Sequence, residues 1–323
     1  MHSRQLVRET ILGNNKGITP IYGWVGLNLS DEITRSFGSV ANFEDHYRFD
    51  LAHIFDVLSP FSNPELQKRM EDDEPIEPEE LLSFPLSDPD TGEAYKDIRE
   101  QIQHHGENRG RFCYMQTPGF FECYNEVFGI EEHLCNLALY PKEMKELYKR
   151  QLEWNKQFSA NVIDLGIDMI HVSDDWGAQN SMMFSKDMWN DLIYPFHSAQ
   201  VKEIKRRGAF ASLHSDGNIL AVLPEIASIG YDLFHPWQES SNMPYNIYLD
   251  NYVDKFAILG GLCIQTTLGF GNFARVESEI ERVFGLLKGK RWIFCTTHFV
   301  QNHCSIDELV YAYDKAVALA RKK

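Results

Sequence analysis

The 323-residue sequence has little positive charge and no long hydrophobic run. Its 31 lysines and arginines stand against 47 aspartates and glutamates, and the resulting net charge of -16 would repel a nucleic-acid backbone. No apolar stretch reaches the roughly 18 residues that a membrane-spanning helix needs. We therefore expect neither nucleic-acid binding nor insertion into a membrane. The acidic surface favours solubility, or docking to a basic partner protein.

Several common functional motifs are also missing. The six cysteines are scattered without a CxxC pair, which favours reduced thiols in a cytoplasmic protein over a disulfide framework. The N-terminal segment MHSRQLVRETILGNN has no continuous apolar core of a secretion signal. No P-loop, no dinucleotide-binding GxGxxG after the first predicted strand and no GxSxG nucleophile elbow is present in a suitable context.

What is present is an alternation of short apolar runs and longer segments with helical periodicity, the pattern of repeated βα units. The predicted strands are Ile18 to Trp24, Asp50 to Phe55, Arg111 to Gln116, Asp168 to Ser173, Ala209 to His214, Tyr231 to His235, Phe256 to Gly260 and Arg291 to Cys295. The clearest predicted helices are Ser185 to Arg207, Ile219 to Ile229, Tyr245 to Tyr252, Val276 to Leu287 and Ile306 to Arg321. Eight such strands predict an α/β fold, a single (β/α)8 TIM barrel over residues 1–323.

Residues 59–110 depart from this alternation because they are acidic and rich in proline, as in EDDEPIEPEELLSFPLSDPDTGE. We interpret them as an insertion after the second predicted strand. Long connections in compact domains are usually functional or mobile, which favours a lid or a partner surface. A solvated excursion without a role is the alternative.

Polar side chains accumulate where four predicted strands end, in SDDWG (173–177), HSDGN (214–218), HPWQE (235–239) and CTTH (295–298). In parallel barrels the carboxyl ends of the strands carry the chemistry. A functional cluster is therefore favoured over buried polar groups that serve the core alone.

His214 and Asp216 lie two residues apart and share one face of an extended strand end, and His298 follows the last predicted strand. Three such ligands with an open position suit Zn²⁺ acting as a Lewis acid. The alternative is a hydrogen-bonded pair in which the aspartate holds the imidazole tautomer.

Asp174 and Asp175 follow a buried strand directly, so that mutual repulsion would raise one pKa and make a general acid or base. We therefore predict catalytic roles for both, together with His214 and His298. In the alternative, one carboxylate caps the next helical segment and the other accepts from a backbone amide.

Aromatic side chains on the predicted strand ends or in the loops after them are candidates for the wall of a substrate pocket. The predicted substrate-binding residues are Trp24, Trp176, Trp237, Tyr124, Gln179 and Gln238. Aromatic residues are equally common as core material, and that interpretation stays open.

The order and spacing of VSDDWGAQNSMMFS, YPF, HSDGNI, IGYDLFHPWQ, ILGGLCIQTTL and CTTHFVQNH resemble the uroporphyrinogen decarboxylase superfamily over nearly half of the chain. The resemblance implies a (β/α)8 barrel. True uroporphyrinogen decarboxylases carry an early RQAGR motif for the porphyrinogen carboxylates, whereas ITPIYGWVGLNLS stands here without an arginine. A substrate with many carboxylates would lack its counter-charges.

The other branch of the superfamily comprises corrinoid-dependent methyltransferases, whose coenzyme M enzymes bind zinc through HxC and a later cysteine. In this sequence Asp216 and His298 stand where those cysteines would be. A harder N/O site would polarise an ether oxygen rather than hold a thiolate.

The resemblance therefore implies a zinc-assisted methyltransferase that acts on a small methoxylated donor and a partner corrinoid protein, with Trp24 and Trp237 flanking the ring of the donor. The alternatives are a metal-free decarboxylase of a smaller carboxylated substrate and a non-catalytic ligand-binding barrel.

Overall fold

The computed structural model describes residues 2–15, 17–55, 58–72, 74–92 and 95–322, and it divides into two compact units. The first unit comprises Met1–Ala52, His105–Cys113 and Asp232–Lys323, and the second comprises His53–His104 and Tyr114–Tyr231. Each unit thus combines segments that are far apart in the sequence. The prediction of one domain over residues 1–323 stays a prediction.

The second unit contains a set of parallel strands and the helices that follow them. Its strands are β3 (Met169–Ser173), β4 (Phe210–His214) and most of β2 (Phe112–Pro118), which begins in the first unit. Its helices are α4 (Pro64–Glu71), α5 (Pro78–Leu81), α6 (Tyr95–Ile102), α7 (Glu122–Phe128), α8 (Ile130–Leu139), α9 (Pro141–Asp164), α10 (Lys186–Leu192), α11 (Tyr194–Arg206) and α12 (Leu223–Ile229). Every residue of β3 and β4 is buried, because parallel strands covered on both faces bury both sets of side chains.

The first unit repeats this organisation. Its strands are β5 (Leu233–His235), β6 (Ala257–Leu262) and β7 (Trp292–Thr296), and β1 (Leu51–Ile54) begins in it. Its helices are α1 (Ser3–Ile11), α2 (Ser30–Phe37), α3 (Val40–His46), α13 (Tyr245–Asn251), α14 (Phe273–Leu287) and α15 (Ile306–Arg321). The β5–β6 and β6–β7 pairings are parallel.

Seven predicted strands are confirmed to within a residue or two of their ends. The sheet order follows the chain from β1 to β7. Parallel strands in this order, alternating with helices, are typical of TIM-like barrels, so the α/β class is confirmed. The predicted helix from Ser185 to Arg207 is interrupted at Ile193, because Pro195 lacks an N–H and its ring excludes a continuous helix.

The first of the eight predicted strands, Ile18 to Trp24, is not a strand in the structure. The segment makes an isolated parallel bridge between Ile21 and Phe294. Pro20 accepts from the Phe294 amide but has no N–H to donate. The Ile21 amide donates to the Asp50 carboxylate at 2.9 Å instead of to a strand carbonyl. A regular ladder therefore fails to form, although the segment is hydrogen-bonded on both sides.

Residues 59–110, predicted as an insertion and lid, include α4, α5, α6 and a single π turn at Gln103–Glu107. Part of the stretch is held on α9 within the second unit. The Arg150 guanidinium donates to the carbonyls of Leu82 and Phe84 at 2.8 and 2.6 Å. Trp154 Nε1 donates to Ser87 Oγ at 3.0 Å. These contacts argue against a purely solvated excursion, and the roles of insertion and lid stay predictions.

Among the described residues, the structure has no helix that is both long and apolar enough to cross a membrane.

Candidate active site

The carboxyl ends of β3 and β4 lie side by side in the second unit. Ser173 and His214 are register partners, and the Asp174 amide donates to the His214 carbonyl at 2.9 Å. The residues that follow the two strands, Asp175 and Asp216, are therefore brought together. This is the placement that strand-end positions predict for parallel strands.

We call Asp175, His214 and Asp216 the His214 cluster. One ligand-type atom from each residue lies within 4.8 Å of the others, and His214 Nε2 is 3.7 Å from Asp175 Oδ1. The same Asp175 oxygen accepts from the Asp216 amide at 2.7 Å. His214 is only 4% exposed, whereas both aspartates are half-buried. The cluster is therefore held by backbone contacts and is reachable from solvent through its carboxylates.

Two glycines permit the contact between the loops that carry this cluster. A Cβ added to Gly177 would stand 2.4 Å from the Asp216 carbonyl oxygen, and one added to Gly217 would stand 2.4 Å from the Gly177 carbonyl carbon. Gly217 also has φ +79, a conformation that L side chains rarely adopt. Asn218 N donates to the Ala178 carbonyl across the same contact at 2.9 Å. Gly177 thus admits the neighbouring loop at close range.

Burial and the repulsion between neighbouring carboxylates raise the pKa values of carboxyl groups at this site. Burial, and after it the charge of Asp175, raise the pKa of Asp216 to about 8. Burial raises the pKa of Glu122 to about 8 as well, with the charges of Asp175 and Asp174 adding to the shift. The carboxyl groups therefore compete for protons, and a cation among them would relieve the repulsion.

Glu122 is the residue that the sequence analysis missed. It is the first residue of α7, after β2, and its Oε2 accepts from Ser173 Oγ at 2.9 Å. The available signal was a single acid in the otherwise aromatic run GFFECY just beyond the strand. The predicted strand ends at Gln116, two residues before the observed end of β2, and of this run only Tyr124 is predicted as a site residue.

Asp174 is fully buried and its carboxylate is fully used by hydrogen bonds. It accepts from three backbone amides, those of Phe120, Phe121 and Glu122, at 2.9, 2.9 and 2.7 Å. Its Oδ2 also lies 2.8 Å from His197 Nε2, and His197 Nδ1 lies 2.6 Å from the Tyr231 hydroxyl. Asp174 therefore positions the loop that carries Glu122, and its predicted catalytic role stays a prediction.

Three further predicted substrate contacts belong to the second unit. Trp176 is fully buried and packs edge-on against Trp189, with ring centroids 5.2 Å apart. Tyr124 is also fully buried and packs edge-on against Tyr148 at 5.2 Å. Gln179 is exposed, in the short loop between Gly177 and Met182, which pair in an isolated antiparallel bridge. The two rings pack as core side chains do, and the substrate-binding role of all three residues stays a prediction.

The first unit brings Trp24 and His298 together. Their ring centroids are 6.3 Å apart, and Trp24 also lies 4.6 Å from the His235 ring. Trp24 is anchored by its amide, which donates to Thr296 Oγ1 at 3.2 Å. His298 Nδ1 lies 3.2 Å from Gln301 Nε2.

The other two predicted residues of the first unit follow β5. Trp237 is 1% exposed and packs against Tyr248 with ring centroids 5.4 Å apart. Gln238 Nε2 donates to Gln265 Oε1 at 3.1 Å. Their roles as substrate contacts stay predictions.

The donor set of the His214 cluster fits a divalent metal. One imidazole and two carboxylates supply borderline and hard ligands, which suit Zn²⁺ and related cations. The predicted trio was His214, Asp216 and His298. The structure brings the first two together and adds Asp175. His298 belongs to the other compact unit, and its part in the trio stays a prediction.

The family model of uroporphyrinogen decarboxylase (URO-D) matches residues 127–316, more than half of the chain. No curated protein matches the sequence.

Solved structures that are similar in fold include a methyltransferase and a methionine synthase. A methyltransferase from Methanosarcina mazei has a TM-score of 0.72 at 9% identity, over 99% of this chain and 98% of that one. A B12-independent methionine synthase from Shewanella sp. W3-18-1 has a TM-score of 0.50 at 13% identity, over 69% and 66% of the two chains. At these identities the likeness concerns the fold alone.

Proposed function

The chain belongs to the uroporphyrinogen decarboxylase family. Within this family, we propose that it is a methyltransferase. Its substrate is a small methoxylated molecule, for example an aromatic methyl ether, and the acceptor of the methyl group is a corrinoid held by a partner protein. Zinc binds at the His214 cluster.

The concentration of carboxylates around His214 carries this proposal. Asp175 and Asp216 flank the imidazole. Burial, and after it the charges of Asp175 and Asp174, raise the pKa of Glu122. Such a site attracts a cation and repels an anionic substrate, since like charges at this range destabilise each other. A neutral ether is therefore a more suitable substrate here than a carboxylic acid.

The segment where decarboxylases of the family carry arginines points in the same direction. Residues 18–30, ITPIYGWVGLNLS, contain no arginine or lysine. Counter-charges for a substrate with several carboxylates are therefore missing both from this segment and from the His214 cluster.

The side chains of the cluster have separable tasks. His214 and the two half-buried aspartates would hold the metal, and the backbone contact between Asp175 and Asp216 keeps their carboxylates in place. Bound zinc would supply Lewis-acid chemistry toward an ether oxygen. Asp174 and its three amide donors fix the loop of Glu122. A bound cation would lower the raised pKa of Glu122, so that its carboxylate would then add negative charge beside the metal ligands.

Two measurements on purified protein test the proposal. Elemental analysis should find about one zinc per chain, and this zinc should be lost in His214→Ala and Asp216→Asn. Asp250→Asn, an exposed position in α13, is the matched control and should retain it. Methylation of free cob(I)alamin, followed by absorbance with a panel of methoxylated aromatic compounds, should depend on the same residues. His298→Ala tests whether the first unit supplies a ligand.

The competing functions give different results. A wild-type protein without bound zinc that releases carbon dioxide from small carboxylic acids would be a decarboxylase. A co-purified ligand without turnover would indicate a binding protein. Methyl transfer that His214→Ala leaves intact would contradict the assignment of the cluster.

A further inference from the structure

A cavity lies in the first unit, beside the residue that precedes β1. Its volume is about 260 Å³. It is lined by Ser3, Leu6, Ile18, Thr19, Ile21, Arg48, Asp50 and Arg321. Asp50 immediately precedes β1, and Thr19 and Ile21 precede Trp24 in the same extended segment. The proposed methyl transfer uses none of these residues.

Two arginines face this cavity without an acceptor. Among the described residues, the guanidinium groups of Arg48 and Arg321 make no hydrogen bond and no ion pair. The two charges are close enough to interact: burial, and after it the charge of Arg48, lower the pKa of Arg321. Two cations on one concave surface raise its affinity for an anion.

The one carboxylate in the lining is already engaged. Asp50 accepts from Ser3 Oγ at 2.6 Å and from the Ile21 amide at 2.9 Å. It is 8% exposed, and burial raises its pKa. Asp50 therefore neutralises at most one of the two arginines, and the cavity keeps a positive excess within a chain of net charge -16.

We propose that this cavity binds a phosphate group, free or in a small phosphomonoester. Guanidinium groups match the oxygens of phosphate in geometry and charge, and the Thr19 hydroxyl is a further possible donor from the lining. The ligand would join four chain segments, namely α1, the segment before Trp24, the turn before β1 and the end of α15. Its binding would therefore stabilise the folded first unit.

The test compares thermal unfolding in phosphate and in chloride at matched ionic strength. We expect the midpoint to rise with phosphate concentration and to saturate. Arg48→Gln and Arg321→Gln should each weaken the phosphate dependence at least about tenfold, the loss expected for one charge-assisted contact. Methyl phosphate as a second ligand separates a site for free phosphate, which would reject the ester, from a site for phosphomonoesters, which would bind it.

Two further variants guard against an effect on folding alone. Arg48 has φ +52, so Arg48→Gly should fold at least as well as the wild type, yet lose the response to phosphate. Arg35→Gln removes an exposed arginine of α2 in the same unit and should keep the response. Equal responses of Arg48→Gly and Arg35→Gln would overturn the proposal, as would equal midpoints in phosphate and chloride. Neither result bears on the zinc site.

Discussion

Replacing Asp174 is the sharpest test of how the site is held. This carboxylate lies at the centre of four hydrogen bonds, three from backbone amides and one from the ring of His197. It is fully buried. Asp174→Ala removes the acceptor from all four donors at once, and Asp174→Asn keeps the shape but presents an NH2 group to one side of the site.

The expected magnitude follows from counting the donors. Each buried donor left without an acceptor costs about 1–3 kcal/mol, so four donors set an upper bound of about 12 kcal/mol. Water that enters the space left by the carboxylate would satisfy some of them. We therefore expect Asp174→Ala to lower the free energy of unfolding by about 4–6 kcal/mol, similar to the cost of breaking a buried charged pair. Asp174→Asn should cost about half as much, because one oxygen still accepts.

Urea unfolding followed by tryptophan fluorescence and far-UV circular dichroism measures the effect. Asp250→Ala, at an exposed position in α13, is the control and should change the free energy of unfolding by less than about 0.5 kcal/mol. If Asp174→Ala were no more destabilising than this control, the role of Asp174 in positioning the Glu122 loop would be refuted.

Three other predictions concern the His214 cluster and its loops. In urea unfolding, Gly217→Ala should lower the free energy of unfolding by more than about 2 kcal/mol, because the new Cβ meets the backbone of Gly177. Gly208 also has a positive φ, +86°, but no atom lies within 4 Å of its added Cβ, so Gly208→Ala should cost only about 1 kcal/mol. The pKa of Asp216 is raised from 3.8 to about 8, so between these pH values the folded metal-free protein keeps a proton that the unfolded chain has lost. Its free energy of unfolding should therefore fall as the pH rises from about 4 to about 8. Asp216→Asn should flatten this dependence in urea titrations. His214→Ala should weaken zinc binding more than about 100-fold, whereas Glu122→Gln, which removes only a neighbouring charge, should weaken it about tenfold in calorimetric titrations.

The sequence predicted the strand ends that carry the candidate site because buried parallel strands have a strong local signal. The runs that became β3 and β4 are continuously apolar or small, and polar residues follow each at once. The prediction of a strand at Ile18 to Trp24 is wrong for an equally local reason. Pro20 has no N–H to donate, and the Ile21 amide donates to the Asp50 side chain instead of to a strand carbonyl.

Aromatic residues give the same sequence signal in a pocket wall and in a core. Trp176 and Tyr124 follow strands, as pocket residues would, but their rings pack in the core. A sequence pattern records that a residue is apolar without recording which side of its element faces a neighbour. The same limit hid Glu122, whose distance from Asp175 in the chain gives no sign that the two charges interact.

What the sequence determined by itself is the α/β class, seven strands and the pairing of His214 with Asp216, because periodicity and spacing along one strand are local properties. Only the tertiary structure decided that the carboxyl groups of Asp175 and Glu122 interact electrostatically with that pair. It also decided that the Asp174 carboxylate accepts hydrogen bonds from three backbone amides. Those facts depend on which loops touch, and the contact of Gly177 with Gly217 that brings the loops together joins residues 40 positions apart.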